Sequence, residues 1–157
     1  MKPYVAIAML LVLAIIALGF PLLLDSQKQA PAGPLLRIEV IGGLCPYGGC
    51  HSEIVMQKNG HYNHSAGNGF DYREGDLDAA MAGELAALIE KADFDAIRSK
   101  GFTGLCPTAY DGAEATYTFY TSRGPESVDS CVSEIDYTSP LFSKLREIEA
   151  KIYSSLG

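Results

Sequence analysis

Residues Ser52–Ser65 read SEIVMQKNGHYNHS. Two runs of β-favouring residues flank Asn59-Gly60, the dipeptide that most strongly marks a tight hairpin, because a type I′ turn needs positive φ at both central positions. The expected hairpin pairs Lys58 with His61 and Val55 with His64. Outward toward the N-terminus, Leu36, Ile38 and Val40 alternate with Arg37, Glu39 and Ile41, the period of a half-buried strand, and the run stops at Gly42-Gly43. Three consecutive strands without long crossovers imply antiparallel pairing.

Beyond the hairpin, Ala66–Gly75 (AGNGFDYREG) reads as a glycine-rich loop. Asp76 is placed to cap a helix to about Lys91, with Leu77, Met81, Leu85, Leu88 and Ile89 on one face. Asp93 is placed to cap one further turn carrying Phe94 and Ile97. Gly101–Gly112 reads as a second loop. Ala113–Thr121 (AEATYTFYT) alternates as a strand, Arg123-Gly124-Pro125 turns it, and Glu126–Val132 pairs back. Ser139 followed by Pro140 marks a helix start, and Leu141, Phe142, Leu145, Ile148 and Ile152 form its apolar stripe. The expected fold is α+β: a four- or five-stranded antiparallel sheet with two helices on one face, preceded by an N-terminal transmembrane helix.

That last element comes from Tyr4–Leu24, 21 residues without a charge. As a helix the run reaches about 30 Å, the thickness of a bilayer core. It exceeds the apolar core of a cleaved secretory signal, and the Ala-x-Ala that follows it, Ala30-Pro31-Ala32, lies away from the run with proline in its middle. The expected organisation is a membrane anchor over 1–24, a flexible linker over 25–34 and an extracytoplasmic domain over 35–157. Lys2 before the run favours a cytoplasmic N-terminus. The expected location is therefore the inner membrane, single-pass, with the domain on the periplasmic side; secretion after cleavage is the alternative.

Lys2 is the only charged side chain before Asp25. Beyond the run lie 11 basic against 19 acidic residues, a net charge of −8. Such a domain repels phosphate backbones, which excludes nucleic acid as an expected partner. Four cysteines, Cys45, Cys50, Cys106 and Cys131, in an exported domain suggest two disulfides. The favoured pairing is 45–50 and 106–131. Zinc is the rival use of these residues, but neither pair has Cys-x-x-Cys spacing.

His51, His61 and His64 cluster in sequence near Cys45 and Cys50 and suggest a metal-binding or enzymatic hairpin. Side chains alternate along a strand, so His61 and His64 should face opposite sides, and no metal site is expected from them. No Gly-x-Ser-x-Gly elbow, redox Cys-x-x-Cys or phosphate cradle is present, so neither catalytic residues nor a cofactor are expected. Phe70 and Tyr72 in one loop, with Phe102 and Tyr110 in the other, are the candidate partner-binding aromatics.

Arg37–Ile152 resembles a family of small exported bacterial domains that carry no assigned activity. The likeness rests on Cys45-Pro46 with Cys50 after the first strand, Asn59-Gly60, Asp93-Phe94, Asp111-Gly112 and the closing helix Pro140–Ile152. The layout is also similar to two groups of bacterial protease inhibitors. Emfourin-type inhibitors share Gly42-Gly43, Asp93-Phe94 and an Asp before a Thr/Tyr-rich strand. Subtilisin-inhibitor types share Cys106-Pro107, Tyr110-Asp111 and Cys131-Val132. The resemblances imply no reactive-site residue. The expected role is a membrane-anchored domain that binds an envelope protein, possible targets including a protease.

Overall fold

The computed structural model describes residues 33–43, 50–67 and 71–155, which form one compact unit. The expected anchor Tyr4–Leu24, Cys45 and Phe70 lie outside the described residues. Among those described, no helix is long and apolar enough to cross a membrane.

Six strands form one antiparallel sheet: β1 (Pro34–Gly42), β2 (His51–Gln57), β3 (His61–Ala66), β4 (Asp71–Asp76), β5 (Ala113–Thr121) and β6 (Gly124–Asp129). Their order is β4-β3-β2-β1-β5-β6, with β1 at the centre. Two long helices, α1 (Ala79–Lys91) and α3 (Pro140–Ser155), and the short α2 (Phe94–Arg98) complete the domain. The α+β class stands, with six strands against the expected four or five, and the short α2 is the further turn expected after Asp93. The added strand is β4, placed by the sequence reading in a loop. Its side chains DYREGD are mostly exposed and show no apolar alternation, because an edge strand of charged residues needs none.

One face of the sheet is apolar. Tyr62, Met56, Leu36 and Phe119 are neighbours across four strands, as are His64, Ile54, Ile38, Tyr117 and Val128 across five. On this face α1 contributes Met81, Leu85 and Ile89, and α3 contributes Leu141, Phe142, Leu145, Ile148 and Ile152. Phe142 meets Tyr117 and Phe119 edge-on, with ring centroids 5.6 and 6.0 Å apart. The opposite face is polar. Arg37 at its centre pairs with Glu53 and, at 3.1 Å, with Glu39.

Several local readings change. The expected two-residue turn at Asn59-Gly60 is a three-residue loop, Lys58 to Gly60, in which only Gly60 has positive φ (90°). The register therefore moves by one residue, so that Val55 pairs with Asn63 and Ile54 with His64. A side chain on Gly60 would meet the Leu77 carbonyl oxygen at 2.7 Å, so the glycine serves close packing as well as the turn. Helix α1 is capped by Asp78, whose Oδ1 accepts from the Ala80 amide at 2.8 Å, not by Asp76. Asp93 does cap α2, accepting from the Ala96 amide at 2.9 Å. The Ser139 carbonyl accepts from Ser143, but its hydroxyl turns back to donate to the Asp136 carbonyl at 2.7 Å. The β5–β6 turn is Ser122-Arg123, one residue early, and β6 ends at Asp129. Glu90 of α1 accepts from both the amide and the hydroxyl of Ser122 at 2.8 Å, which holds its carboxyl below the usual range.

Candidate functional site

The end of the sheet where β1 stops and β5 starts carries a cross-linked surface. Residues 100–102 run antiparallel to 132–134: Gly101 bridges Ser133, the Phe102 amide donates to the Val132 carbonyl at 2.9 Å, and the Glu134 amide donates to the Lys100 carbonyl at 2.6 Å. Cys106 and Cys131 form a disulfide with Cα atoms 5.2 Å apart. Pro107–Tyr110 then makes one 3-10 turn, started by proline at its first position.

Asp111 closes this turn in the left-handed region (φ 63°), and the Gly112 amide donates to the Pro107 carbonyl at 2.7 Å. The turn lies on the end of β1. A Cβ on Gly42 (φ 92°) would meet the Gly112 carbonyl oxygen at 2.5 Å and Thr108 Cγ2 at 2.7 Å. On the other side of the disulfide, Asp129 Oδ1 accepts from the Cys131 amide at 2.7 Å, and its carbonyl accepts from Ser133 at 2.8 Å.

This fixed backbone presents large apolar side chains to solvent. Leu105 (68 % exposed) precedes Cys106, Val132 (67 %) follows Cys131, and Tyr110 (60 %) ends the 3-10 turn. Ile41, 45 % exposed, stands nearby on β1, paired with Glu114 of β5. Scattered exposed apolar residues are ordinary; here Leu105 and Val132 each sit directly beside a cysteine of the cross-link. Beneath them Glu114 Oε2 lies 2.9 Å from Cys106 Sγ and accepts from Thr108 Oγ1 at 3.2 Å.

The four candidate aromatics are dispersed. Tyr110 belongs to this surface. Phe102 is half-buried, its ring turned toward Gly104, whose Cβ would meet Phe102 Cζ at 2.8 Å. Tyr72 stands on β4, separated from β1 by β3 and β2, and its hydroxyl donates to Asn63 Oδ1 at 2.8 Å. Leu105 and Val132 escaped the sequence reading, which searched for aromatics; their position beside cysteines was the available signal.

The histidines do not converge. His61 lies 2.9 Å from Asp76 Oδ1, and His51 Nε2 is 3.9 Å from Glu39 on the polar face. His64 is buried on the helix-covered face, its ring 5.8 Å edge-on from that of Tyr153. Among the described residues the one trio of possible metal ligands lying within 4.8 Å of one another is Cys106, Glu114 and Cys131. Cys50 is not a free thiol; its expected partner Cys45 lies outside the described residues.

Clefts beside the helices, among the described residues, include two larger ones. One of about 460 Å³, at the junction of α1, α2 and β6, holds Arg98, already committed to Asp95 at 2.6 Å and Glu126 at 2.8 Å. An apolar one of about 270 Å³ is lined by Leu88, Ala92, Ile97, Pro140 and Leu141. No protein-family profile matches the chain, and no curated protein matches it.

Proposed function

We propose that this chain is a membrane-tethered extracytoplasmic domain that binds another protein through the disulfide-braced end of its sheet. The tether and the compartment rest on the charge-free run Tyr4–Leu24 and on the use of cysteines as cross-links. The binding role rests on one observation: Leu105, Tyr110 and Val132 are exposed on backbone held by the Cys106–Cys131 bond and its neighbouring hydrogen bonds. Apolar and aromatic anchors on a rigid frame bind well because little conformational freedom remains to be lost. The resemblance to bacterial protease inhibitors makes an envelope protease one concrete target.

The test compares the full chain with its L105S/V132S variant in crosslinking of envelope membranes, followed by mass spectrometry. Both side chains are exposed, so the variant should keep the wild-type melting temperature. A stoichiometric partner captured by the wild type and lost with the variant supports the proposal. Equal capture by both, or no partner with the wild type, rejects it.

A further inference from the structure

The Cys106–Cys131 cross-link has a neighbour that a disulfide does not need. A disulfide sulfur carries no proton to donate, yet the Glu114 carboxylate lies 2.9 Å from Cys106 Sγ, and Thr108 Oγ1, 3.1 Å from the same sulfur, donates to that carboxylate at 3.2 Å. The two sulfurs and the carboxylate oxygen all lie within 4.8 Å of one another. In a tetrahedral zinc site, with metal–ligand bonds of about 2.0–2.3 Å, ligand atoms stand roughly 3.5–4 Å apart.

We propose that reduction of the Cys106–Cys131 bond converts this cluster into a binding site for a thiophilic divalent cation, with zinc the cation its chemistry fits. The two cysteines supply thiolates, Glu114 supplies a carboxylate oxygen, and water takes the fourth position. Cα atoms 5.2 Å apart let the sulfurs separate to ligand spacing by side-chain rotation alone. Thr108 orients the carboxylate, as an outer-shell hydrogen bond does in other zinc sites.

The steps balance. A phosphine reductant gives two electrons to the S–S bond and leaves as its oxide, taking oxygen from one water whose two protons go to the sulfurs. Zinc then displaces both thiol protons, so that the sulfurs bind as thiolates and affinity rises with pH. Disulfide and metal are thus alternative cross-links between the segment that opens the 3-10 turn and the residues after β6, and the metal would add Glu114 of β5. The proposal is independent of the binding role above, because it concerns the brace and not the apolar surface it carries.

The experiment is equilibrium dialysis of zinc against the full chain, oxidised and phosphine-reduced, with reduced E114Q and C131S alongside. The expected result is one zinc held by the reduced chain and not by the oxidised one, lost in C131S and weakened about tenfold or more in E114Q. Zinc should also raise the melting temperature of the reduced wild type and leave that of reduced C131S unchanged. The wild-type comparison needs no folded variant, and E114Q leaves both cysteines in place. Equal zinc binding by oxidised and reduced chains overturns the proposal, as does binding by reduced protein that is indifferent to both substitutions.

Discussion

Tyr62 on β3 donates its phenolic hydrogen to Ser155 Oγ, 2.7 Å away in the last turn of α3 and 93 residues distant in sequence. The direction follows from Ser155 itself, whose hydroxyl donates to the Ile152 carbonyl at 2.7 Å and so is left to accept. Tyr62 is only 4 % exposed, and this bond gives the polar tip of a core residue a partner while tying the C-terminal helix to the sheet. Y62F should lower stability by about 1 kcal/mol, the usual net worth of such a bond, measured by urea unfolding. An unchanged midpoint would mean that water serves the hydroxyl as well as Ser155 does.

Directly across from Tyr62, Gly75 of β4 has no side chain for a steric reason. A Cβ there would lie 2.5 Å from the Tyr62 hydroxyl oxygen and 2.7 Å from Cζ. The ring is buried and its hydroxyl bonded, so it cannot swing away cheaply. G75A should destabilise by about 1–3 kcal/mol. In the Y62L background most of this penalty should vanish, and a double-mutant cycle without coupling would refute the explanation.

The Cys106–Cys131 bond closes a loop of sequence separation 25. Loop-closure entropy assigns it about 3.5 kcal/mol. C106S/C131S should therefore lose about that amount, lowering the melting temperature by roughly 10 °C. The measurement belongs in chelator, so that no metal contributes. Loss of less than about 1 kcal/mol would show that the bond is not a main source of stability.

Glu149 on α3 is a carboxyl held above its ordinary range, chiefly by burial, with the nearby Arg146 charge opposing the shift. Its charge in turn raises the hydroxyls of Tyr117 and Tyr153, which are pushed up mainly by their own burial. A folded-state value above the unfolded one means that the native state binds the proton more tightly. The associated stability is present below the unfolded pKa and is lost as pH rises through the folded one. E149Q should melt at a higher temperature than wild type at pH 7 and at nearly the same temperature below pH 4. Equal melting temperatures across the range would refute this.

Burial explains which parts of the fold were legible in the residues. Strands β1 and β5 alternate visibly because one side of each meets the helices, and Ile38 pairs with Tyr117 where the reading places core residues. The helix stripes were visible for the same reason. Strand β4 was hidden because its exposed side chains contribute nothing to the core and its pairing is backbone hydrogen bonding to β3. The hairpin register was misplaced because Asn-Gly admits more than one loop length, and the three-residue form occurs here. The binding candidates were selected by residue type. Tyr110 came from that search, while Leu105 and Val132 acquire meaning only from their fixed exposure.

What the residues determined alone is whatever depends on local periodicity and composition: the α+β class, antiparallel pairing, the cap at Asp93, the helix start at Pro140, and the acidic charge. The 106–131 cross-link was also correctly chosen from the cysteines. Tertiary structure decided whatever depends on which surfaces meet. It recruited Asp71–Asp76 as an edge strand, set the β2–β3 hairpin in a register one residue from the expected one, and set Glu114 against Cys106. Each depends on how strands and loops pack in the folded domain, and local periodicity does not encode that packing.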